Sequence, residues 1–355
     1  MQKHILVFTV LCAALLSACE KTIDFKGEDI DPKIVVNGLV TPGKPIEVRI
    51  TRSENLLSES YASTILKDAV ADLYVDDVLT EKLSINAQSD ASETYSIPVF
   101  SSQTIAESGK TYRLEVSHEG LKPVTCETTV PTPVDIEVDT LSTLLSGSWG
   151  TGLYIMVNLK FSDNAETKDY YRAQMDLMRG VNKAYYDSYN KPEDLSDTVL
   201  IRFTASGVDI SDPIFKGSDQ ADDIVTGTPE NRFALFDDSD INGKEYILKL
   251  GFMANPNYSA EIEEGSGNFI EQQIILKTLT PEYYEYLNSV NSHFWYGDDY
   301  FSEPVPVYSN VKGGLGIFAS EASAVYTIIF GNYPLDDKVY IENYDYGGYG
   351  YDYGY

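Results

Sequence analysis

The side chains whose spacing comes closest to a known chemical site are the oxygen ligands between residues 238 and 243. Asp238, Asp240 and Asn242 alternate with other residues and a glycine follows them, which is the first half of a calcium-binding loop. The glutamate that closes such a loop at its twelfth position is replaced by Lys249. Asn242-Gly243 is also a favoured pair for a type I′ hairpin turn. We therefore predict a hairpin turn here, with Asp238, Asp240 and Asn242 as the alternative set of calcium ligands.

Other catalytic signatures are missing from the sequence. It has no HExxH, no zinc-type cysteine pair and no GxSxG, which argues against zinc chemistry and a serine nucleophile. The letters GLGIFA at 314–319 match a dinucleotide fingerprint, but a strand-like run follows where a helix should begin. Cys126 would need an activating histidine to serve as a nucleophile. We predict no enzyme activity and no cofactor; a pair of carboxylates as in glycoside hydrolases is the open alternative.

Aromatic side chains are the second feature with binding potential. The chain has 27 tyrosines, 14 phenylalanines and 2 tryptophans, and an aromatic run occupies residues 293–301. Aromatic faces stack on sugars and bury contact area with little loss of side-chain freedom. Trp295, Tyr296 and Tyr300 are therefore candidate contacts for a partner protein or a glycan. The alternative is that these rings cover the core of their domain.

The first nineteen residues predict export followed by lipid attachment. Lys3 precedes an apolar run at 5–16, and the sequence LSAC at 16–19 resembles a bacterial lipobox. The apolar run is shorter than the roughly 20 residues that a membrane-spanning helix needs. We predict a signal peptide at 1–18, lipidation of Cys19, and a polar tether at 19–32.

The formal net charge of −29 restricts the partners. Such a surface repels nucleic-acid phosphates and anionic lipid headgroups. We therefore predict no nucleic-acid partner, and we expect the membrane to be reached through the lipid anchor.

The elements that must position these residues are mostly β-strands. From residue 33, short β-branched runs separated by turn residues recur about every 8–12 residues, which is typical of an immunoglobulin-like β-sandwich. Hairpins are predicted for 34–40 with 46–51, 70–75 with 78–83, and 111–117 with 122–130. Prolines at 131 and 133 indicate a linker. Further strands are predicted at 152–161, 170–178, 245–252, 269–279 and 323–331.

Two local signals complete this assignment. Asp163-Asn164 looks like a hairpin connection, which favours a strand over a helix at 170–178. Thr280 and Pro281 suit the N-cap and the first position of a helix at 281–290, whose apolar residues fall on one face.

We predict an all-β fold with an immunoglobulin-like β-sandwich at 33–131. A second β-rich domain follows at 134–339 and carries this one short C-terminal helix. The final residues, 340–355, consist of Tyr, Gly and Asp and are predicted to be a disordered tail.

Several collinear segments resemble the DUF4249 family of Bacteroidetes outer-membrane lipoproteins. They are Cys19, 32–40, 48–53, 240–246, 279–287 (LTPEYYEYL) and 303–318. The resemblance implies a lipoprotein that accompanies a TonB-dependent transporter. The resemblance assigns a catalytic role to no residue of this chain, because the family has no established chemistry.

We accordingly expect a non-catalytic lipoprotein of the outer membrane, on its surface or its periplasmic face. It would act as an accessory or capture partner of a TonB-dependent transporter, with a glycan or another nutrient as possible ligand. The first alternative is a surface glycan-binding lipoprotein, and the second is a secreted hydrolase.

Overall fold

The structure is a computed structural model that describes residues 31–54, 64–85, 98–144, 154–182, 198–205, 212–215, 231–253, 269–297, 305–331 and 339–341. The predicted signal peptide, Cys19 and Tyr300 lie outside these residues, as does the predicted tail beyond residue 341. Lys33–Ser53 and the described part of Ser63–Tyr355 belong to one compact unit.

The described part of the chain is built from β-strands and one α-helix near its C-terminal end, which confirms the all-β prediction. The strands are β1 (Ile34–Val40), β2 (Pro45–Arg52), β3 (Val70–Val75), β4 (Val78–Lys82), β5 (Ser84–Ile85), β6 (Val99–Ile105), β7 (Thr111–Ser117), β8 (Val124–Thr129), β9 (Ile136–Leu144), β10 (Tyr154–Ser162), β11 (Tyr170–Asn182), β12 (Thr198–Ala205), β13 (Leu235–Asp237), β14 (Glu245–Met253), β15 (Phe269–Leu279), β16 (Leu315–Gly331) and β17 (Val339–Ile341). The helix is α1 (Pro281–Gly297).

The strands form three sheets. The large sheet has the order β17-β12-β11-β15-β16-β1-β2-β6-β5, with β13 paired to β11, and the smaller sheets are β14-β10-β9 and β4-β3-β7-β8. The predicted linker at 131–134 falls in the irregular segment between β8 and β9. The large sheet contains strands from both sides of it, because β16 pairs with both β15 and β1.

The parallel pairing of β16 with β1 depends on two glycines. A Cβ on Gly314 would lie 2.5 Å from the carbonyl oxygen of Ile34, and one on Gly316 would lie 2.2 Å from that of Val36. Gly316 also has a φ of +100°, a conformation that glycine adopts most readily. The GLGIFA segment therefore brings two backbones together, and its continuation is a strand, as predicted.

The three predicted hairpins are confirmed, since β1 pairs with β2, β3 with β4, and β7 with β8. In the β3–β4 turn, Asp76 and Asp77 have φ values of 48° and 65°, which is the requirement of a type I′ turn. The Asp76 carboxylate accepts hydrogen bonds from the Lys110 ammonium at 2.6 Å and from the backbone N–H of Thr111 at 3.1 Å. These contacts hold the strained turn against β7.

Two predicted hairpin connections are wrong. Strands β10 and β11 are consecutive, but β10 pairs with β9 and β14, whereas β11 pairs with β12, β13 and β15. The turn at Asn242-Gly243 likewise connects strands of different sheets, and of this pair only Gly243 has a positive φ, of 69°. Both connections cross between sheets because the two sheets bury their apolar faces against each other.

Three hydrophobic clusters explain the packing. The first lies between β1, β2 and β6 of the large sheet and the sheet β4-β3-β7-β8, and it contains the buried thiol of Cys126. The second lies between β10 and β14 on one side and β11 and β15 on the other. The third is formed by α1 on β15 and β16, with Tyr283 and Leu287 of the helix among its members.

Candidate functional site

A polar cavity of about 310 Å³ lies between α1 and the chain around β13. Ligand pockets in proteins are usually about 300–1,000 Å³, so this cavity has room for a small ligand. Its residues come from three places that are far apart in sequence: Ile214, the segment from Asn231 to Asp237, and α1.

The helix forms one wall because it has two different faces. Tyr283 and Leu287 are buried against the sheet, as their spacing along the sequence predicts. Tyr284, Asn288 and Asn291 follow one another at intervals of four and three, so they share the neighbouring face. These three residues and Ser292 line the cavity.

The opposite wall is fixed by side chains that bond to backbone. Asn231 accepts a hydrogen bond from the N–H of Leu235 at 2.9 Å and donates to the carbonyl oxygen of the same residue at 2.7 Å. Asp212 accepts from the N–H of Ile214 at 3.0 Å, from the Tyr246 hydroxyl at 2.6 Å and from the N–H of Lys249 at 2.9 Å. The segment at 212–215 is thereby tied to β14, which places Ile214 at the cavity.

Asp237 is the acidic group of the cavity. Its Oδ1 accepts from the N–H of Ser239 at 2.9 Å and lies 3.4 Å from the ammonium of Lys168. Burial acts to raise the pKa of Asp237, but the Ser239 hydrogen bonds and the Lys168 charge outweigh it, and the pKa is lowered. Asp237 is therefore an ionised acceptor at neutral pH.

Three further carboxylates lie together beside Asp237. One oxygen each from Asp163, Asp169 and Asp238 lies within 4.8 Å of the others. Lys168 donates to Asp238, whose second oxygen accepts from the N–H of Asp169 at 2.8 Å. Burial raises the pKa of Asp169, and the charges of Asp163 and Asp238 raise it further.

The contacts of this carboxylate cluster are those of a structural junction. Asp163 accepts from the Tyr171 hydroxyl at 2.6 Å and from the N–H of Gly243 at 2.9 Å, which joins β10, β11 and the turn before β14. Asp169 accepts from the Thr167 hydroxyl at 2.7 Å. A metal ion here would have to displace these donors and the Lys168 ammonium, so the donor set fits the protein's own groups better than a cation.

The three candidate calcium ligands differ in their exposure to solvent. Asp238 begins a short 3₁₀ helix (Asp238–Asp240) and is 1% exposed, with its carboxylate directed at Lys168 and Asp169. Asp240 and Asn242 are exposed. Asp238 therefore lies in a cluster with Asp163 and Asp169, two residues that the calcium-loop pattern does not include.

The first part of the aromatic run, residues 293–297, belongs to the helix itself, which continues to Gly297, whereas residues 298–301 lie outside the described residues. Trp295 lies in its last turn with 39% of its surface exposed. The backbone of Tyr296 is helical, but its side chain and the whole of Tyr300 lie outside the described residues. Beside the helix, Ser289 accepts from the N–H of Tyr308 at 2.8 Å, and the His293 ring contacts the carbonyl oxygen of Val305 at 2.8 Å.

No sequence motif indicates the polar residues of the cavity, which are Asn231, Asp237, Asn288, Asn291 and Ser292. One available signal was the polar spacing at 284, 288 and 291, next to the apolar face of the predicted helix. Cys126 gives no second site, because burial raises its pKa to about 12 and the thiol stays protonated.

The fold and the site together define an all-β protein in which a helix near the C-terminal end closes a polar cavity. The chain belongs to the family described as Domain of unknown function (DUF4249), which matches residues 20–327. Comparison with curated proteins finds no match. Within the part of the chain that the structure describes, no helix has the length and apolar character needed to cross a membrane.

Proposed function

We propose that this chain is a non-catalytic, lipid-anchored accessory protein of a TonB-dependent outer-membrane transporter. The observation that carries the proposal is the lipobox-like LSAC at 16–19, directly before the family match, which begins at residue 20. The order of signal, cysteine and family region is what a lipoprotein precursor requires. We further propose that the family region is the mature part of a lipoprotein of Bacteroidetes.

The cavity favours binding over hydrolysis. Among the described residues that line it, Asp237 is the one carboxylate, whereas glycoside hydrolysis uses two, about 5–10 Å apart across the bond. The nearby Asp238 is turned away from a substrate by its contacts with Lys168 and Asp169.

An exposed aromatic surface at the end of α1 is the candidate contact with the transporter. Phe294 and Trp295 in the last turns of the helix are 37% and 39% exposed. We call these two residues the α1 patch. Aromatic anchors of this kind commonly carry the binding energy of protein interfaces.

Confinement in one membrane makes a modest interface sufficient. A lipid on Cys19 and a short tether would hold both proteins at the same bilayer, which raises their effective concentration. The interface then needs less intrinsic affinity than one formed between freely diffusing proteins.

The proposal is tested by membrane fractionation and affinity capture. Cys19→Ala should release the chain from membranes or block its processing, and normal processing with full membrane retention would contradict the anchor. Capture of the tagged full chain in mild detergent should recover a large barrel protein. Trp295→Ala should weaken capture, whereas Tyr326→Ala on β16, which removes a ring that is also 39% exposed, should not.

A glycan-binding lipoprotein is the second candidate, and the observation that favours it is the polar cavity lined by Asn288 and Asn291, whose helical spacing puts them on the same face of α1 as Trp295. If capture and cross-linking recover no transporter while the purified chain binds polysaccharide in a Trp295-dependent manner, this function replaces the first.

A further inference from the structure

We propose that the cavity between α1 and β13 is a binding site for a neutral, polyhydroxylated small molecule, such as one sugar ring of a glycan. The site deepens the accessory function proposed above by naming a ligand class. The ligand proposal rests on that function in one respect only, the route by which the ligand reaches the chain.

The hydrogen-bonding groups of the cavity match vicinal hydroxyls. Asn288 and Asn291 each carry an amide with N–H donors and an acceptor oxygen, and Ser292 and Tyr284 add hydroxyls. These groups also contact the protein, because Asn288 is hydrogen-bonded to the Tyr284 hydroxyl and Asn291 Oδ1 accepts from the N–H of Arg232 at 3.4 Å. A sugar hydroxyl is both donor and acceptor, and a surface with both kinds of group can satisfy it.

Charge selects against anions. Asp237 is ionised and faces the cavity, and the whole chain carries a formal charge of −29. Lys168 does not reverse this preference, because it is held by Asp237 and Asp238. The same ammonium neutralises part of the acidic charge, which lowers the attraction for a cationic ligand.

Apolar groups supply the remaining contact. Phe236 and Leu235 line the β13 wall, and Ile214 lies beside them. Sugar rings have C–H faces that pack on such surfaces. Trp295 follows Asn291 by four residues, which places it on the cavity face of α1 one turn further on. Its exposed ring is positioned for a second sugar unit.

The test is ligand binding to the purified full chain in mild detergent, with no transporter present. The probes are glucose, galactose, mannose, N-acetylglucosamine and myo-inositol as neutral ligands and glucuronate as the anion. Saturation-transfer NMR and calorimetry should show millimolar binding of at least one neutral probe and weaker binding of glucuronate. A disaccharide of the bound sugar distinguishes the end of a glycan from a free monosaccharide, since a glycan site should bind it more tightly through Trp295.

Variants locate the binding. Asn288→Leu should weaken the best neutral probe by at least about tenfold, which corresponds to about 1.4 kcal/mol. Asn158→Leu is the matched control, because it removes an amide of β10 that bonds Thr140 outside the cavity, and it should leave affinity unchanged. Ser292→Leu fills the cavity from a second position, and thermal melting identifies any variant that has lost its fold.

Three results would overturn the site: no neutral probe binds, glucuronate binds as tightly as the best neutral probe, or the two leucine variants at 288 and 158 have equal affinity. Each of these can occur while transporter capture succeeds, and transporter capture can fail while sugar binding succeeds. The ligand proposal and the partner proposal are therefore distinguishable.

Discussion

Replacement of Asp163 by alanine should destabilise the protein strongly, because one carboxylate joins three elements. Asp163 is 8% exposed and accepts hydrogen bonds from the Tyr171 hydroxyl and the Gly243 N–H. Tyr171 is fully buried between the two sheets. Without the carboxylate, both donors lose their partner in a place that water reaches poorly.

The size of the effect follows from these two bonds. Hydrogen bonds to a charged group contribute about 1.5–3 kcal/mol each, and an unsatisfied buried donor costs about 1–3 kcal/mol. We expect Asp163→Ala to lower the free energy of unfolding by about 3–5 kcal/mol. Asp139→Ala, at an exposed position of β9, is the control and should cost no more than about 0.5 kcal/mol.

The assay is urea denaturation followed by circular dichroism, with a check that the slope of free energy against urea is unchanged. Tyr171→Phe keeps the ring and removes the donor. The double variant should cost about 1–2 kcal/mol less than the sum of the single variants, because the two residues share one bond. An Asp163→Ala effect no larger than that of Asp139→Ala would show that the Asp163 carboxylate does not join these elements.

Three further predictions use other parts of the fold. Gly316→Ala should lower the free energy of unfolding by about 3 kcal/mol, because Gly316 has a φ of +100° and an added Cβ would overlap Val36. Gly43→Ala is the control in the same denaturation assay and should cost about 1 kcal/mol, because Gly43 has a φ of +79° but open space around it. Equal costs would contradict the close approach of β16 to β1. Since the pKa of Asp169 is raised in the folded state, stability should fall as pH rises from the ordinary pKa of an aspartate through the raised one. Asp169→Asn should remove that part of the fall in thermal melts at different pH values, and a variant with the same pH profile as the unaltered protein would contradict this role of Asp169. Millimolar calcium should leave the melting temperature nearly unchanged, and a rise of several degrees that Asp238→Asn abolishes would show that the carboxylate cluster binds the ion.

Local pattern was sufficient for most strands and for the start of the helix. Alternation predicts β1 and β2, and Thr280-Pro281 predicts where α1 begins. The apolar spacing ends the predicted helix at residue 290, whereas α1 continues to Gly297. No glycine or proline occurs between residues 282 and 296, so the chain stays helical until the first glycine.

The pairing of strands and the cavity depend on contacts between distant residues. Asp163-Asn164 has the composition of a hairpin turn, but the burial of Tyr171 directs β11 into the other sheet. Asn231 and Asn288 are 57 positions apart and meet only because α1 packs on β15 and β16. Patterns in one sequence describe residues that are close along the chain and carry no information on contacts between distant ones. The candidate site therefore could not be predicted from them.

The most direct test of the accessory function is photo-cross-linking in living cells. A benzoyl-phenylalanine replaces Trp295 in the full chain, and the same residue replaces Tyr326 as the control. Position 295 should yield a covalent product with a TonB-dependent transporter, and position 326 should not. Equal labelling at both positions, or no transporter product from position 295 when the chain is fully membrane-bound, would contradict the accessory function.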